Sequence, residues 1–194
     1  MNLDFDFFKI QRKLTPKKGR ILISEPFLPG NFFSRSTVLL VEYSASGAVG
    51  FILNKPFEAQ INDWFKMPSG DTPELFVGGP VGGDSLFFIH TLGSHLEGSI
   101  HIIDDLYWGG DFETLKLAIA TGKAKPDQVK FFIGYSGWSA GQLDREISEN
   151  SWLVLEADPK LVMKSDRNFW LESVKKAGGH YETWKNFPED PTTN

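Results

Sequence analysis

The sequence predicts an α+β fold, with short strands in one sheet and a few helices laid against it. Three observations carry this. Apolar, β-favouring runs such as RILIS, TVLLVEY and FFIGY recur between glycine- and proline-rich breaks. Two stretches switch to helical spacing, after Asp111 and around Leu143–Ile147, a period that a strand does not produce. Nineteen glycines and eleven prolines supply more turns than a helical bundle needs. At 194 residues and 41% hydrophobic content the chain suits one domain with a full core, which 17 Phe and 6 Trp make aromatic-rich.

In chain order, Leu3, Phe7, Ile10 and Leu14 predict an amphipathic helix over residues 2–14, packed on the domain or on a partner subunit. Lys9, Arg12, Lys13, Lys17, Lys18 and Arg20 form a basic cluster. Lys13, Lys17 and Lys18 are its candidate nucleic-acid contacts, although an ordinary solvated linker explains the same run. Pro16 and Gly19 mark a boundary. Residues 1–18 are therefore expected to be a helical extension and linker, 19–180 the domain, and 181–194 a tail with disordered last residues.

A first strand is expected over 20–24. Strands over 38–43 and 48–53, joined by a turn at 44–47, form a hairpin, the first of them buried on both faces. Asn54 precedes Lys55-Pro56, where an asparagine side chain often bonds nearby backbone; Asn54 is also a candidate ligand contact. Ile61, Trp64 and Phe65 suggest a short helix. A strand over 75–77 enters the glycine-rich segment 78–83. Gly78 and Gly79 are candidate ligand-binding positions, but no phosphate-loop pattern is present and a tight backbone crossing explains the glycines better.

Strands over 85–92 and 99–103 are expected to pair as a hairpin. This would set His90 opposite His101, with His95 at the tip and Asp104 and Asp105 just beyond. The spacing matches no standard metal site, and no metal is assigned. Residues 107–110 read as a turn. A helix follows, with Asp111 as N-cap, Leu115, Leu117, Ala118 and Ile119 as buried face, and Gly122 and Pro126 as terminators. It permits a crossover from the 99–103 strand to the central one.

The central stretch is FFIGYSGWSAGQLDREISENSW. Its apolar start reads as a buried strand. Leu143 and Ile147 then mark a short amphipathic helix that Asn150 can close. Ser139 and Gln142 have capping-box spacing, with the hydroxyl accepting from the Gln142 amide and the Gln142 side chain reaching back. Gly137-Trp138-Ser139-Ala140-Gly141 also matches G-x-S-x-G, with Asp158 or Asp166 and then His180 in hydrolase order. The cap explains Ser139, and no oxyanion segment of the HGGG type is present, so no catalytic residue is assigned. A strand over 152–156, a turn at Pro159 and a helix over 166–177 complete the domain. Trp184 and Phe187 of the tail are expected to fasten it to the body or to a neighbour.

Four segments carry a resemblance: G-R-I-L-I-S-E-P at 19–26, G-A-V-G-F-I-L-N-K-P at 47–56, F-V-G-G-P-V at 76–81 and G-Y-S-G-W-S-A-G-Q-L at 134–143. Their identity and order resemble the bacterial YqgE/AlgH family over about residues 19–177. The segment before Gly19 departs from the family pattern as an extension, and Ser139 stands where similar proteins often carry other small residues. The resemblance implies a compact α+β domain with a strongly bent mixed sheet. It also implies the family's label of transcriptional regulator, which rests on genetics in one branch and on no recognised DNA-binding motif.

Composition narrows the function further. Cysteine is absent, which removes disulfides, thiolate nucleophiles and cysteine metal sites, and suits the cytoplasm. No signal-like or membrane-length apolar segment is found. A net charge of −5 disfavours nucleic acid as the default partner. The expectation is a noncatalytic regulatory or interaction protein without cofactor, whose partner is a protein or DNA and whose ends are compatible with a homodimer. The alternative is a small-molecule-binding protein or enzyme, with a pocket formed by Asn54, Gly78, Gly79, Trp138 and Gln142.

Overall fold

The computed structural model describes residues 14–28, 32–58 and 73–187. The helix expected over 2–14, apart from Leu14, and the one near Trp64, together with Lys13 and the last residues, lie outside the described residues. The strands are β1 (Arg20–Ser24), β2 (Thr37–Ser44), β3 (Gly47–Ile52), β4 (Leu75–Val77), β5 (Val81–His90), β6 (Ile100–Ile103), β7 (Leu106–Trp108), β8 (Val129–Ser139) and β9 (Trp152–Glu156). The helices are α1 (Phe112–Ala120), α2 (Gln142–Ser148), α3 (Pro159–Met163) and α4 (Phe169–Ala177).

The nine strands form one sheet in the order β6-β7-β5-β8-β3-β2-β1-β9, with β4 also beside β8. The pair β4–β8 is parallel and the other pairs are antiparallel, so the sheet is mixed. It is also bent. Ile102 of β6 and Leu106 of β7 share one apolar cluster with Ile21 of β1 and Leu39 of β2, although several strands separate them along the sheet. A Cβ on Gly19, just before β1, would lie 3.0 Å from the Cβ of Ile103. The two ends of the sheet thus curl towards one another around an inner core.

Both faces of the central strands are covered, which is why they read as unbroken apolar runs rather than alternating ones. In β2, Leu39 and Val41 join the inner core while Val38 and Leu40 turn outward to Trp138, Trp152, Leu143 and Ile147. In β8, Phe132 faces inward and Phe131 and Ile133 face Leu115 of α1. The period of two along each strand sorts neighbouring residues into different cores. Helix α4 adds a fourth cluster, setting Trp170 and Val174 on Ile23 and Leu153; Tyr181, with Trp184 packed against it, ties down the start of the tail.

β8 is the axis of the sheet, and it changes partners midway. Its first half runs beside β4 and β5, and residues 136–139 pair with β3. Gly134 sits at the change with φ +67°, and a Cβ there would lie 2.6 Å from the Val81 carbonyl oxygen and 2.8 Å from that of Gly79. From the other side, a Cβ on Gly78 would stand 2.2 Å from the Gly134 carbonyl oxygen. The segment 78–79 and β8 therefore cross backbone to backbone, as the glycines at these positions imply.

Several expectations need correction. β5 and β6 are not a hairpin: β7 lies between them, so His90 and His101 each pair with Tyr107 rather than with each other. The missed strand β7 was hidden by its length and by the two glycines after it. The crossover through α1 consequently runs from β7 to β8. Leu117 is 64% exposed, because α1 buries only Leu115 fully. β5 begins at Val81 rather than after Gly83, with a register shift between Val81 and Leu86 that absorbs the glycines. Pro159 opens helix α3 rather than a turn, with Asp158 capping it. No described helix is long and apolar enough to cross a membrane.

Candidate functional site

The signature residues at the end of β8 build a clasp centred on Glu146, which the sequence reading did not single out. Glu146 lies on α2 one turn after Gln142, so both project from the same face. One oxygen, Oε2, accepts from the indole N–H of Trp138 at 2.8 Å and from that of Trp152 at 2.8 Å. The other, Oε1, accepts from the Gln142 amide at 2.9 Å. Gln142 Oε1 in turn accepts from the Ser139 backbone N–H at 3.0 Å and from its hydroxyl at 3.1 Å. This corrects the expected capping box. Only the backward half exists, because Gly141, in the left-handed conformation, holds the N-cap position and the Ser139 hydroxyl donates to Gln142. Asn150 does close the helix: it has φ +64°, its N–H reaches the Ile147 carbonyl, and the Ser151 N–H reaches that of Glu146, a Schellman arrangement.

Trp138 is 6% exposed, with Phe33 tilted against it at 6.2 Å and Trp152 edge-on at 5.9 Å. Its faces are occupied by the core. Asn54 lies elsewhere and is buried. Its Oδ1 accepts from the Thr37 N–H and its Nδ2 donates to the Arg35 carbonyl, both at 2.9 Å, bracing the turn in which Arg35 takes φ +49°. Gly78 is bonded into the crossing through its carbonyl, which accepts from the Ile52 N–H and the Ser136 hydroxyl, both at 3.0 Å. Trp138 pairs with Ala48 at one end of β3, whereas Asn54 follows the other end. The structure therefore places Gly78 and Gly79 near Ser136 and links Gln142 to Trp138 through Glu146, with Asn54 beyond the opposite end of β3.

His90 is fully buried. Its Nδ1 accepts from the Leu92 N–H at 3.2 Å, and its Nε2 faces the Gly109 carbonyl at 3.1 Å and the Ser99 hydroxyl at 3.0 Å. That pattern fits the neutral ring protonated on Nε2, and burial lowers its pKa below the usual histidine value, partly opposed by the Gly109 carbonyl. Among the described residues no group of three or more His, Asp or Glu side chains is placed to hold a metal ion. In the basic cluster, the Arg20 Nε donates to Glu156 at 3.1 Å, and the Lys18 ammonium donates to the His101 carbonyl at 2.9 Å. Lys17 is exposed.

The site with unusual chemistry is at the other end of β8. Lys130 is 4% exposed, between Val129 and Phe131. Its amine donates to the Ser165 carbonyl and to the Ser165 hydroxyl, the latter at 2.8 Å, and stands 3.6 Å above the centre of the Phe76 ring. Burial pulls its pKa down to about 7, against the opposing pull of Glu74 and Asp166. Lys130, Phe76, Glu74, Asp127, Pro126 and Met163 line a cavity of about 230 Å³. A lone lysine inside the apolar run VKFFIGY was the available sequence signal. A second cavity, of about 440 Å³, opens where β5 is distorted, between Asp84, Phe88, Gly110 and Phe112.

Comparison with known proteins places this geometry. The AlgH-like (DUF179) family model matches residues 21–182. A UPF0301 protein of Bacteroides fragilis is 42% identical over the full length of both chains, so the segment before Gly19 has a counterpart there. One from Cytophaga hutchinsonii is 44% identical across 91% of this chain and 98% of its own. The solution structure of the AlgH protein from Pseudomonas aeruginosa superposes with a TM-score of 0.71 at 25% identity, over 91% of this chain and 97% of that one. A crystal structure of a Corynebacterium diphtheriae protein shares the fold, with a TM-score of 0.72 at 19% identity over 90% and 94% of the two chains. The chain belongs to the AlgH-like family.

Proposed function

We propose that the protein is a noncatalytic interaction protein that docks a partner polypeptide, and that any regulatory role it has acts through that partner. The observation that carries this reading is the contrast between a clasp whose polar groups are spent on one another and a surface that leaves aromatics uncovered. Phe27, Phe32 and Phe187 are 42%, 43% and 42% exposed. Phe27 and Phe187 touch edge-on at 5.2 Å, and the Arg35 guanidinium donates to the Phe187 carbonyl beside them. Exposed aromatics next to an arginine are the side chains that dominate protein interfaces. DNA fits less well, because Arg20 of the basic cluster is buried and paired with Glu156 and the chain carries −5.

The test uses a photo-crosslinking residue at position 27 in cells, with the captured protein identified and its affinity measured with purified components. Phe32→Ser should weaken binding at least about tenfold, while Ile100→Ser on the far edge of the sheet leaves it unchanged. Equal binding by both variants, or salt-dependent binding of duplex DNA that Lys17→Gln removes, would replace this reading.

A further inference from the structure

Lys130 carries an inference independent of the docking surface. Its amine is enclosed by the core, its hydrogen bonds go to the neutral acceptors of Ser165, and an aromatic ring covers it from a third direction. An amine desolvated in this way, without a carboxylate bonded to it, is the arrangement that leaves a lysine nucleophilic at neutral pH. The same residue lines a cavity, and that cavity is small, below the range of drug-sized pockets. Its other walls combine apolar surface from Phe76, Pro126 and Met163 with the carboxylates of Glu74 and Asp127.

We propose that this cleft captures a small uncharged or cationic aldehyde as an imine on Lys130, as a covalent ligand-binding site. The lone pair of the neutral amine attacks the carbonyl carbon, the C=O π pair moves to oxygen, and the resulting carbinolamine is neutralised by proton transfer from nitrogen to oxygen. A second proton, taken from solvent, lets the hydroxyl leave as water while the nitrogen lone pair forms C=N, and the protonated imine returns that proton to solvent. The overall change is aldehyde plus amine to imine plus water, with no oxidant or reductant consumed. Glu74 and Asp127 set the selectivity, since their charge repels phosphorylated and carboxylated aldehydes. The lowered pKa of the amine agrees with this chemistry: near pH 7 about half of it is the free base, whereas an ordinary exposed lysine has well under one per cent.

The experiment uses the folded wild-type chain. Limiting benzaldehyde and sodium cyanoborohydride are added across pH 6–10, and the reduced adduct is mapped by peptide mass spectrometry. At pH 7, Lys130 should be modified at least about tenfold faster than the exposed Lys123 and Lys175, with a half-maximal rate near pH 7. The anionic aldehyde glyoxylate should label Lys130 at least about tenfold more slowly than benzaldehyde does. Modification of Lys123 and Lys175 with Lys130 untouched, or modification of Lys130 only after denaturant is added, would overturn the proposal and leave Lys130 as a structural brace to Ser165.

Discussion

The two ends of β8 differ in what they do with their polar groups. At the Trp138 end, two indole N–H groups and a glutamine amide converge on the carboxylate of Glu146, an arrangement in which buried donors all find an acceptor. At the Lys130 end, directly before Phe131 and Phe132, an amine is buried against an aromatic ring and a serine. The first end contains the most legible motif in the sequence; the second contains none. The difference teaches that glycines, tryptophans and a capping glutamine at fixed spacing report how this sheet is assembled, while unusual chemistry sits where one residue violates its local pattern.

The sharpest way to break the comparison is to disturb the hinge between the two ends. Gly134→Ala puts a Cβ 2.6 Å from the Val81 carbonyl oxygen at a positive φ. It should cost more than about 4 kcal/mol or prevent folding, measured by urea unfolding. Lys130→Met should reveal the second end through pH. The folded pKa of about 7 lies below the ordinary lysine value of 10.5, so between these values the unfolded chain binds more protons and stability rises with pH. Wild type should therefore gain on the methionine variant, by about 2–4 kcal/mol on going from pH 7 to 10.5, as read from urea titrations at each pH.

Smaller effects sharpen the clasp. Trp138→Phe removes one donor to Glu146 and part of a buried ring, and should cost about 2 kcal/mol by thermal unfolding. Ser139→Ala removes only the hydroxyl bond to Gln142, since the Ser139 N–H bond remains, and should cost about 0.5 kcal/mol. Because this serine is engaged with Gln142 and not with a histidine, the same variant should leave any background esterase signal of the preparation unchanged.

Much of the fold was legible. β1, β4 and β9 begin and end where the apolar runs do, and Asp111 caps α1 through the Thr114 N–H as its position suggests. The glycines at 78 and 79 signalled a backbone crossing, because a side chain there would meet the backbone of β8. What was hidden depends on partners distant in sequence. β7 is three residues long and gains its identity from β5 and β6 on either side. Leu117 reads as core by helical spacing, yet it stays largely exposed on the outer side of α1. Glu146 carries no local signal, because two of its three donors, Trp138 and Trp152, lie on β8 and β9 and are brought to it only by the fold. The five candidate ligand residues come from three motifs far apart in sequence, and where each lies is set by the sheet: Asn54 just after β3, Gly78 and Gly79 between β4 and β5, Trp138 on β8 and Gln142 on α2.

The signature at the end of β8 is structural, holding α2 and β9 to the sheet through Glu146. Urea unfolding of Glu146→Ala at pH 7, followed by tryptophan fluorescence, tests it most directly. Loss of the carboxylate strands the buried N–H groups of Trp138 and Trp152, so stability should fall by about 2–4 kcal/mol with the denaturant slope unchanged. Wild-type stability in this variant would show that the carboxylate is held for something other than the fold.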